Sequence, residues 1–552
     1  MVFSASFLYN HCMSKEIKNT DLSSLSREEL EKRYIELNTK YDSAVAKMNW
    51  YLEQYRLAMQ KKYGQSSEKN IDGQMTLEDL PLFNEAEAMR EPINIEASEE
   101  ELLETKKKSK KKNVKALPVV VDTYELSREE QVCPKCGAPL HEMKENVRVE
   151  IEVIPAKVQV HKHISKVYAY RNCEKEGNAT IITAPGAPAP VIPGSIASSS
   201  VIADSIAKKY VDATPFYRQE KNNERAGIPI TRNNYCNWSI KVANIYFSHL
   251  EKRLREIMYK EGVIHCDETY TEVLLEPDRP ATRKSYIWVT TTAEYQTEHP
   301  IALYNYKEGR SAIDAREVLK GFEGYIMCDG YSAYDSITKT GKHGEPAMNV
   351  KPVACLVHVR RKFADALKLL PPKDRENTSA NLAIKKIKNI MHIDNQISRD
   401  NLKEREDKRR ELLAPALDEF FTWVKDEQAL ALPKSHYGKA IEYALNQEYK
   451  VRRVLEDGRL ELDNSLAERT VKPFVIGRKN FLFSNTPAGA DASCILYGIV
   501  ETAKLNKLIP YEYLKYVMDR MSSAEVINEE LIDELLPWSE NIPSYVKNPS
   551  ET

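Results

Sequence analysis

The chain has 552 residues, 42% of them hydrophobic, which is enough for several domains and at least one large core. Its 80 lysines and arginines nearly balance its 82 aspartates and glutamates, for a formal net charge of −2, so no global basic excess marks it as a nucleic-acid binder. No apolar run approaches the roughly 20 residues a bilayer-spanning helix needs, and nine scattered cysteines, an odd number, fit a reducing cytoplasm better than a disulfide framework.

The first twelve residues carry neither a charged leader nor a long apolar stretch, so no signal peptide is expected. Residues 1–20 read as a disordered extension. Residues 22–63, in a coiled-coil segment assigned to 21–70, read as one long helix. Leu30, Tyr34, Leu37, Tyr41, Ala44, Met48, Tyr51 and Tyr55 alternate spacings of four and three, a heptad seam. The seam serves either packing within the chain or self-association. Self-association makes a homo-oligomer the expected state.

Residues 71–118 form a charged linker without a sustained period, acidic over 85–104 and basic over 106–112. Without the acidic stretch the remainder is mildly basic. The lysine run reads either as a solvated tether or as a contact for phosphate.

Residues 119–183 change character. Val119-Val120-Val121 and Val147 to Val153 are strand-like, and between them lies Cys133-Pro134-Lys135-Cys136-Gly137, the knuckle turn of zinc ribbons. Cys173 offers a third thiolate. Tyr170 stands where a second Cys-x-x-Cys would need cysteine, leaving His141, His161 and His163 as substitutes. Zn2+ at an incomplete ribbon site is therefore one cofactor to expect.

Residues 184–195, rich in Pro, Ala and Gly, read as a linker that opens a helical segment over 184–255. One helix spans about 198–210. A second starts near Pro215 and ends at Ala226-Gly227, and a third starts after Thr231, an N-cap residue. Two helices joined by a short glycine-containing turn have the form of a helix-turn-helix, and an ordinary helical hairpin shares it. Arg232, Asn233, Asn234 and Asn237 are its candidate DNA contacts.

From 256 to 508 the pattern turns α/β. Runs at Val263 to Cys266, Tyr286 to Thr290 and Ile301 to Tyr304 read as strands. A helix near Ala312 to Leu319 follows, then runs at Tyr325 to Cys328 and Val353 to Val357, then another helix. That order is expected of a ribonuclease-H-like core, here interrupted by a charged helical insertion over about 370–455. Residues 509–552 read as a C-terminal helical segment and tail.

Three acids stand out. Asp267 ends the run Val263-Ile264-His265-Cys266, Asp329 ends Tyr325-Ile326-Met327-Cys328, and Glu468 lies one turn into a helix opened by Asp463-Asn464. A carboxylate at a buried strand end is costly unless something pairs with it. Any one of the three can be a cap or a helix-dipole partner, but together they suit a divalent-ion site. Mg2+ or Mn2+ prefers such oxygen donors, and two ions can activate an attacking oxygen and stabilise a leaving one at a phosphodiester. Asp267 would bridge, with Asp329 and Glu468 each holding one ion. Glu268 should face the other side of the strand. Arg360, Arg361, Lys362, Arg469, Lys472, Arg478 and Lys479 add positive charge suited to a phosphate backbone.

The motifs His265-Cys266-Asp267-Glu268-Thr269, Cys328-Asp329-Gly330-Tyr331, His358-Val359-Arg360-Arg361-Lys362-Phe363 and Asn464-Ser465-Leu466-Ala467-Glu468-Arg469 resemble the DDE transposases of the insertion-sequence family numbered sixty-six, the TnpC type. Gly477 to Phe483 and Glu501 to Asn506 look like that family too. The resemblance runs collinearly from about residue 24 to 530. It implies Asp267, Asp329 and Glu468 as the acidic triad, Mg2+-dependent cleavage at the element ends, and attack of the freed 3′-hydroxyl on target DNA. It also implies that upstream segments recognise terminal inverted repeats. The expected partners are double-stranded DNA, a second copy of the chain and accessory proteins of the same element; no membrane is expected, and the expected location is cytoplasmic. Two other readings fit the same residues: a ribonuclease-H-like nuclease without strand transfer, and a catalytically decayed or domesticated DNA-binding protein.

Overall fold

The computed structural model describes residues 26–29, 31–32, 34, 158–164, 167–169, 181–183, 189–294, 297–342 and 344–549. Most of the expected coiled-coil helix, the charged linker, and the ribbon cysteines Cys133, Cys136 and Cys173 lie outside the described residues. Within the ribbon segment, β1 (Val167–Ala169) pairs antiparallel with β2 (Ile181–Thr183). His161 and His163 are exposed. Among the described residues, no helix is long and apolar enough to cross a membrane.

The described chain from 189 onward divides into two compact units. One comprises Arg255–Val475 with Phe483–Pro487; the other comprises residues 189–254, 476–482 and 488–549.

The second unit begins with α1 (Ser199–Tyr210), capped by Ser198. α2 (Phe216–Arg225) follows Pro215 and ends at a turn where Gly227 adopts a φ of +71°, a left-handed conformation that favours glycine. α3 (Arg232–Val242) opens with a reciprocal capping box between Thr231 and Asn234. It runs through a π-helical turn, Ala243–Phe247, into α4 (Ser248–Lys260). Phe216 stacks on Tyr235 at 5.7 Å, tying α2 to α3. Within the expected linker, the described residues 189–195 are docked: Val191 and Ile192 are buried, and Tyr246 Oη donates to the Val191 carbonyl at 2.7 Å. Apolar residues within that Pro- and Gly-rich stretch account for the difference.

The first unit is built on β3 (Val263–Glu272), β4 (Lys284–Thr292), β5 (Ala302–Lys307), β6 (Gly324–Cys328) and β7 (Val350–Ala354). α5 (Ala312–Val318) precedes β6, α6 (Ser332–Ser336) follows it, and α7 (Leu356–Lys368) follows β7. The sheet order is β5-β4-β3-β6-β7. β3, β4 and β5 pair antiparallel, whereas β3, β6 and β7 pair parallel. β4, β3 and β6 are the interior strands, and Val289, Ile264, Ile326 and Met327 on them are buried.

Two local expectations are corrected. β3 does not end at Asp267: the β-favouring residues Thr269, Tyr270 and Thr271 keep it paired with β4 as far as Glu272. β7 ends at Ala354, because Leu356 and Val357 already belong to α7.

The insertion is helical throughout, comprising α8 (Ser379–Gln396), α9 (Leu402–Lys408), a π-helical turn (Arg409–Leu413), α10 (Ala414–Leu430) and α11 (His436–Val451). Its buried Ile387, Leu417, Phe420 and Ile441 share one core with Met327, Val353, Val359 and Phe363 of the sheet and α7. The insertion is therefore part of this unit's core. α12 (Ser465–Phe481) follows and spans the boundary between the two units, after which α13 (Pro487–Leu505), α14 (Pro510–Ser523) and α15 (Glu529–Glu534) close the chain. In the second unit Tyr210 of α1 meets Tyr497 of α13 edge-on at 4.8 Å.

Candidate active site

The parallel register sets His265 opposite Met327, the last β3–β6 pair. Asp267 lies two residues beyond it on β3, and Asp329 lies two residues beyond Met327. Both strands thus deliver a carboxylate to the same edge of their pairing. Asp267 is half-buried, and its Oδ1 accepts the Glu268 backbone N–H at 2.9 Å. Asp329 Oδ1 accepts the Tyr331 N–H at 2.8 Å, a local turn that holds the acid after its strand. A side chain at the intervening Gly330 would meet the end of the Tyr443 side chain of α11, which would have to shift.

Glu468 reaches the site from α12. Asp463 Oδ1 caps that helix at Ser465 N (2.8 Å), while the Asn464 side chain turns to β3, bonding His265 Nδ1 and the Cys266 carbonyl, each at 2.9 Å. Asp463 thus satisfies the first backbone N–H of the helix, and the Asn464 carbonyl accepts from the Glu468 N–H. His265 and Asp267 are two apart on β3 and so share a face. Glu468 therefore lies on Asp267's face of the sheet. Its Oε1 stands 3.6 Å from both His358 Nε2 and Arg361 Nη2 of α7.

Glu268 occupies the opposite face with Cys266. Arg310 Nη2 approaches its Oε1 at 2.5 Å, and Tyr334 Oη donates to its Oε2 at 2.9 Å. Tyr334 Oη also lies 3.2 Å from Cys266 Sγ. Only 2% of the Glu268 side chain is exposed. Cys266 and Cys328 are buried, and burial pushes both thiols up, consistent with small core residues rather than metal ligands.

The electrostatics follow from this crowding. Burial drives the Asp267 carboxyl well above its ordinary range, and the charges of Glu268, Asp329 and Glu468 push it the same way. Burial likewise raises Glu268, reinforced by Asp329 and opposed by Arg310. Burial and Arg361 lower His358. Burial presses His265 down to about 4, so its ring is neutral at physiological pH.

Mutually repelling carboxylates that offer only oxygen donors fit a hard divalent cation, which would relieve their repulsion. As placed, no three His, Cys, Asp or Glu side chains among the described residues form a group that could hold an ion between them. Each acid is instead turned to a nearer partner: Glu268 to Arg310, Glu468 toward Arg361, and Asp329 to a backbone amide.

The remaining sequence candidates are dispersed. On α3, Asn233 and Asn237 are exposed, joined by Lys241 two turns on from Asn233, whereas Asn234 is engaged in the capping box. The Arg232 backbone N–H bonds Glu220. Arg361 and Lys362 are exposed on α7, Lys362 lying over the Tyr443 ring at 5.3 Å, and Arg360 is half-buried. Arg469 pairs with Glu294 at 2.7 Å. Arg478 and Lys479 sit in the last turn of α12, within the second unit.

Sequence reading missed Arg310, Tyr334 and the insertion's buried ion network, where Arg405 bonds Asp394 and Glu461 and Arg409 bonds Asp394. Nothing in their spacing announces these pairings. Only the buried charges on otherwise apolar helix faces offer a signal.

The sequence matches the model of the Transposase IS66 family over residues 194–492. It also matches a zinc-finger binding domain of transposase IS66 over 130–174, an IS66 C-terminal element over 499–538, and a segment described as the Transposase C of IS166 homeodomain over 50–121. Among similar proteins, the uncharacterized protein y4jD of Sinorhizobium fredii is 28% identical over 440 residues, 78% of this chain and 83% of that protein. The uncharacterized protein y4qI of the same organism is 27% identical over 399 residues, 70% of each chain.

Proposed function

The chain belongs to the IS66 family of transposases, and we propose that it cleaves and joins DNA at the ends of a bacterial insertion element with Asp267, Asp329 and Glu468 as its acidic triad. The observation that carries this reading is geometric: the β3–β6 register brings Asp267 and Asp329 to one edge, and the Asn464–His265 contact anchors the start of α12 to β3. Asp329 and Glu468, from different elements and far apart in sequence, both raise the Asp267 carboxyl. Glu268 is instead tied to Arg310 and Tyr334, which supports Asp267 as the triad's first member.

A ribonuclease-H-like core is supported by the sheet order β5-β4-β3-β6-β7, with three antiparallel strands followed by two parallel ones. Residues 256–508 are read as that catalytic domain, its insertion buttressing the site through Tyr443 against Gly330. Divalent ions held by the triad, Mg2+ or Mn2+, would activate the attacking oxygen and stabilise the leaving one. The protein's own residues perform the rest. Asn464 and His265 hold the catalytic helix to the catalytic strand. Arg310 and Tyr334 keep Glu268 off the reacting face.

Recognition of the terminal repeats is assigned to the α2–α3 pair, with Asn233, Asn237 and Lys241 facing DNA. Zn2+ is assigned to the 119–183 segment through Cys133, Cys136 and Cys173. Self-association is assigned to the helix over 21–70. Accessory proteins of the same element are its further partners.

The test incubates the protein with labelled element-end duplexes and Mg2+ or Mn2+. Nicks at the element boundary followed by joined products support transposition. Nicks without joining point to a plain nuclease, and binding without nicks to a decayed core.

A further inference from the structure

We propose that Arg361 is an exchangeable counter-ion of Glu468, displaced when a divalent cation binds and then free to grip a DNA phosphate. The inference rests on the reading of Glu468 as a metal ligand.

Two acid–arginine pairs flank Asp267, and they are built differently. In the Glu268 pair, Arg310 stands 2.5 Å from one carboxylate oxygen and Tyr334 takes the other at 2.9 Å. The Arg310 guanidinium lies 3.7 Å over the Tyr331 ring, and the Glu268 side chain is 2% exposed. Removing Arg310 would strand the buried Glu268 charge, so this pair is permanent. In the Glu468 pair, Arg361 Nη2 stands 3.6 Å from Oε1, beyond hydrogen-bond reach, and the two side chains are 46% and 34% exposed. An exposed, loose pair of this kind contributes little and separates at little cost.

The second neighbour of Glu468 is His358, with Nε2 3.6 Å from Oε1, and Arg361 Nη1 stands 3.3 Å from the same nitrogen. Arg361 is the permanent cation facing Glu468, because a guanidinium stays protonated. A divalent cation outcompetes a single guanidinium for a carboxylate at this distance. Once released, the planar fork suits a phosphate, which it can bind through two parallel hydrogen bonds.

Cation and DNA binding are thereby linked: the cation must break the pair, and breaking it frees a DNA contact. Removing Arg361 should ease cation binding to the DNA-free protein and weaken the cation's enhancement of DNA binding.

The test measures Mn2+ binding to the full chain without DNA by titration calorimetry, for the wild type, Arg361→Gln, Arg361→Lys, Glu468→Gln and the Arg361→Gln/Glu468→Gln double variant. Arg361→Gln should bind Mn2+ about three- to fivefold more tightly, the scale of an exposed ion pair. Arg361→Lys should stay near wild type, and the gain should vanish in the Glu468→Gln background. In a parallel arm, Mn2+ should tighten element-end DNA binding more for the wild type than for Arg361→Gln. If Glu468→Gln weakens Mn2+ binding while Arg361→Gln matches the wild type, or if the gain persists without Glu468, the counter-ion role is overturned and the triad stands. If Glu468→Gln leaves Mn2+ binding unchanged, the triad assignment itself fails.

Discussion

Asn464 Oδ1 lies 2.9 Å from His265 Nδ1, a contact between residues 199 apart in the chain. The Asn464 amide nitrogen donates to the Cys266 carbonyl, which can only accept, so the amide oxygen faces the ring and His265 donates from Nδ1. Both residues are 1% exposed. This latch fixes the start of α12 to β3 beside Asp267, and Glu468 follows four residues later with its N–H bonded to the Asn464 carbonyl at 3.2 Å.

Replacing Asn464 with alanine strands a buried N–H and a buried carbonyl. Asn464→Ala should therefore cost about 2–4 kcal/mol, read from the urea midpoint of the transition that includes the sheet. DNA cleavage should fall further than the folded fraction does. A change below about 0.5 kcal/mol would show that the latch is incidental.

The raised Asp267 carboxyl makes stability depend on pH. A group whose folded pKa is raised contributes stability that is complete below its ordinary value near 3.8 and is lost as pH rises through the raised value. At neutral pH the metal-free protein therefore carries the cost of a partly desolvated, repelled charge. Asp267→Asn should melt higher than the wild type at pH 7.5 in a chelator, with the gap closing toward pH 4. His265, pushed down from 6.5 to about 4, acts oppositely, losing stability as pH falls through that window. It is present in both proteins and cancels in their difference. A lower melting temperature for Asp267→Asn at pH 7.5 would contradict the account.

The insertion holds the approach to α12 through charge. Arg405 binds both oxygens of Glu461, at 2.9 and 3.1 Å, and reaches Asp394 at 3.3 Å, while being 1% exposed. Removing it leaves two buried carboxylates short of a partner. Arg405→Met should destabilise by about 3–5 kcal/mol in chemical denaturation. A loss under about 1 kcal/mol would mean that Arg399 and Arg409 suffice.

Much of this unit was legible in the sequence because its strands are short apolar runs and its insertion lacks any strand pattern. Asp267 and Asp329 announced themselves by following such runs. What stayed hidden depended on pairing partners. The length of β3 beyond Asp267 comes from its ladder with β4, since residues 267–272 alternate only weakly. The clamp on Glu268 needs Arg310 and Tyr334, which come from separate loops and helices. Asp463-Asn464 read only as the opening of a helix, and nothing local shows that the Asn464 side chain is buried against β3.

On α3, side chains that look alike should behave differently. Asn233 and Asn237 are exposed at helical spacing, so alanine at either should weaken element-end binding about ten- to a hundredfold, the scale of a base contact. Lys241→Ala should weaken binding evenly across sequences and reduce the salt slope by about 1. Asn234 Oδ1 accepts from both the Thr231 N–H and its hydroxyl, so Asn234→Ala should chiefly lower helix stability, by about 1 kcal/mol. Binding curves at several salt concentrations separate these outcomes. Equal effects at all four positions would argue against a recognition face.

The central claim is that Asp267, Asp329 and Glu468, and not Glu268, carry the chemistry. Its most direct test is the rate of element-end cleavage in Mg2+ for the wild type, Asp329→Asn and Glu268→Gln, each shown to be folded and to bind the end DNA. The account predicts that Asp329→Asn loses on the order of a thousandfold or more, whereas Glu268→Gln stays within about tenfold of the wild type. Cleavage that survives Asp329→Asn, or that is abolished by Glu268→Gln instead, would place the active acids elsewhere.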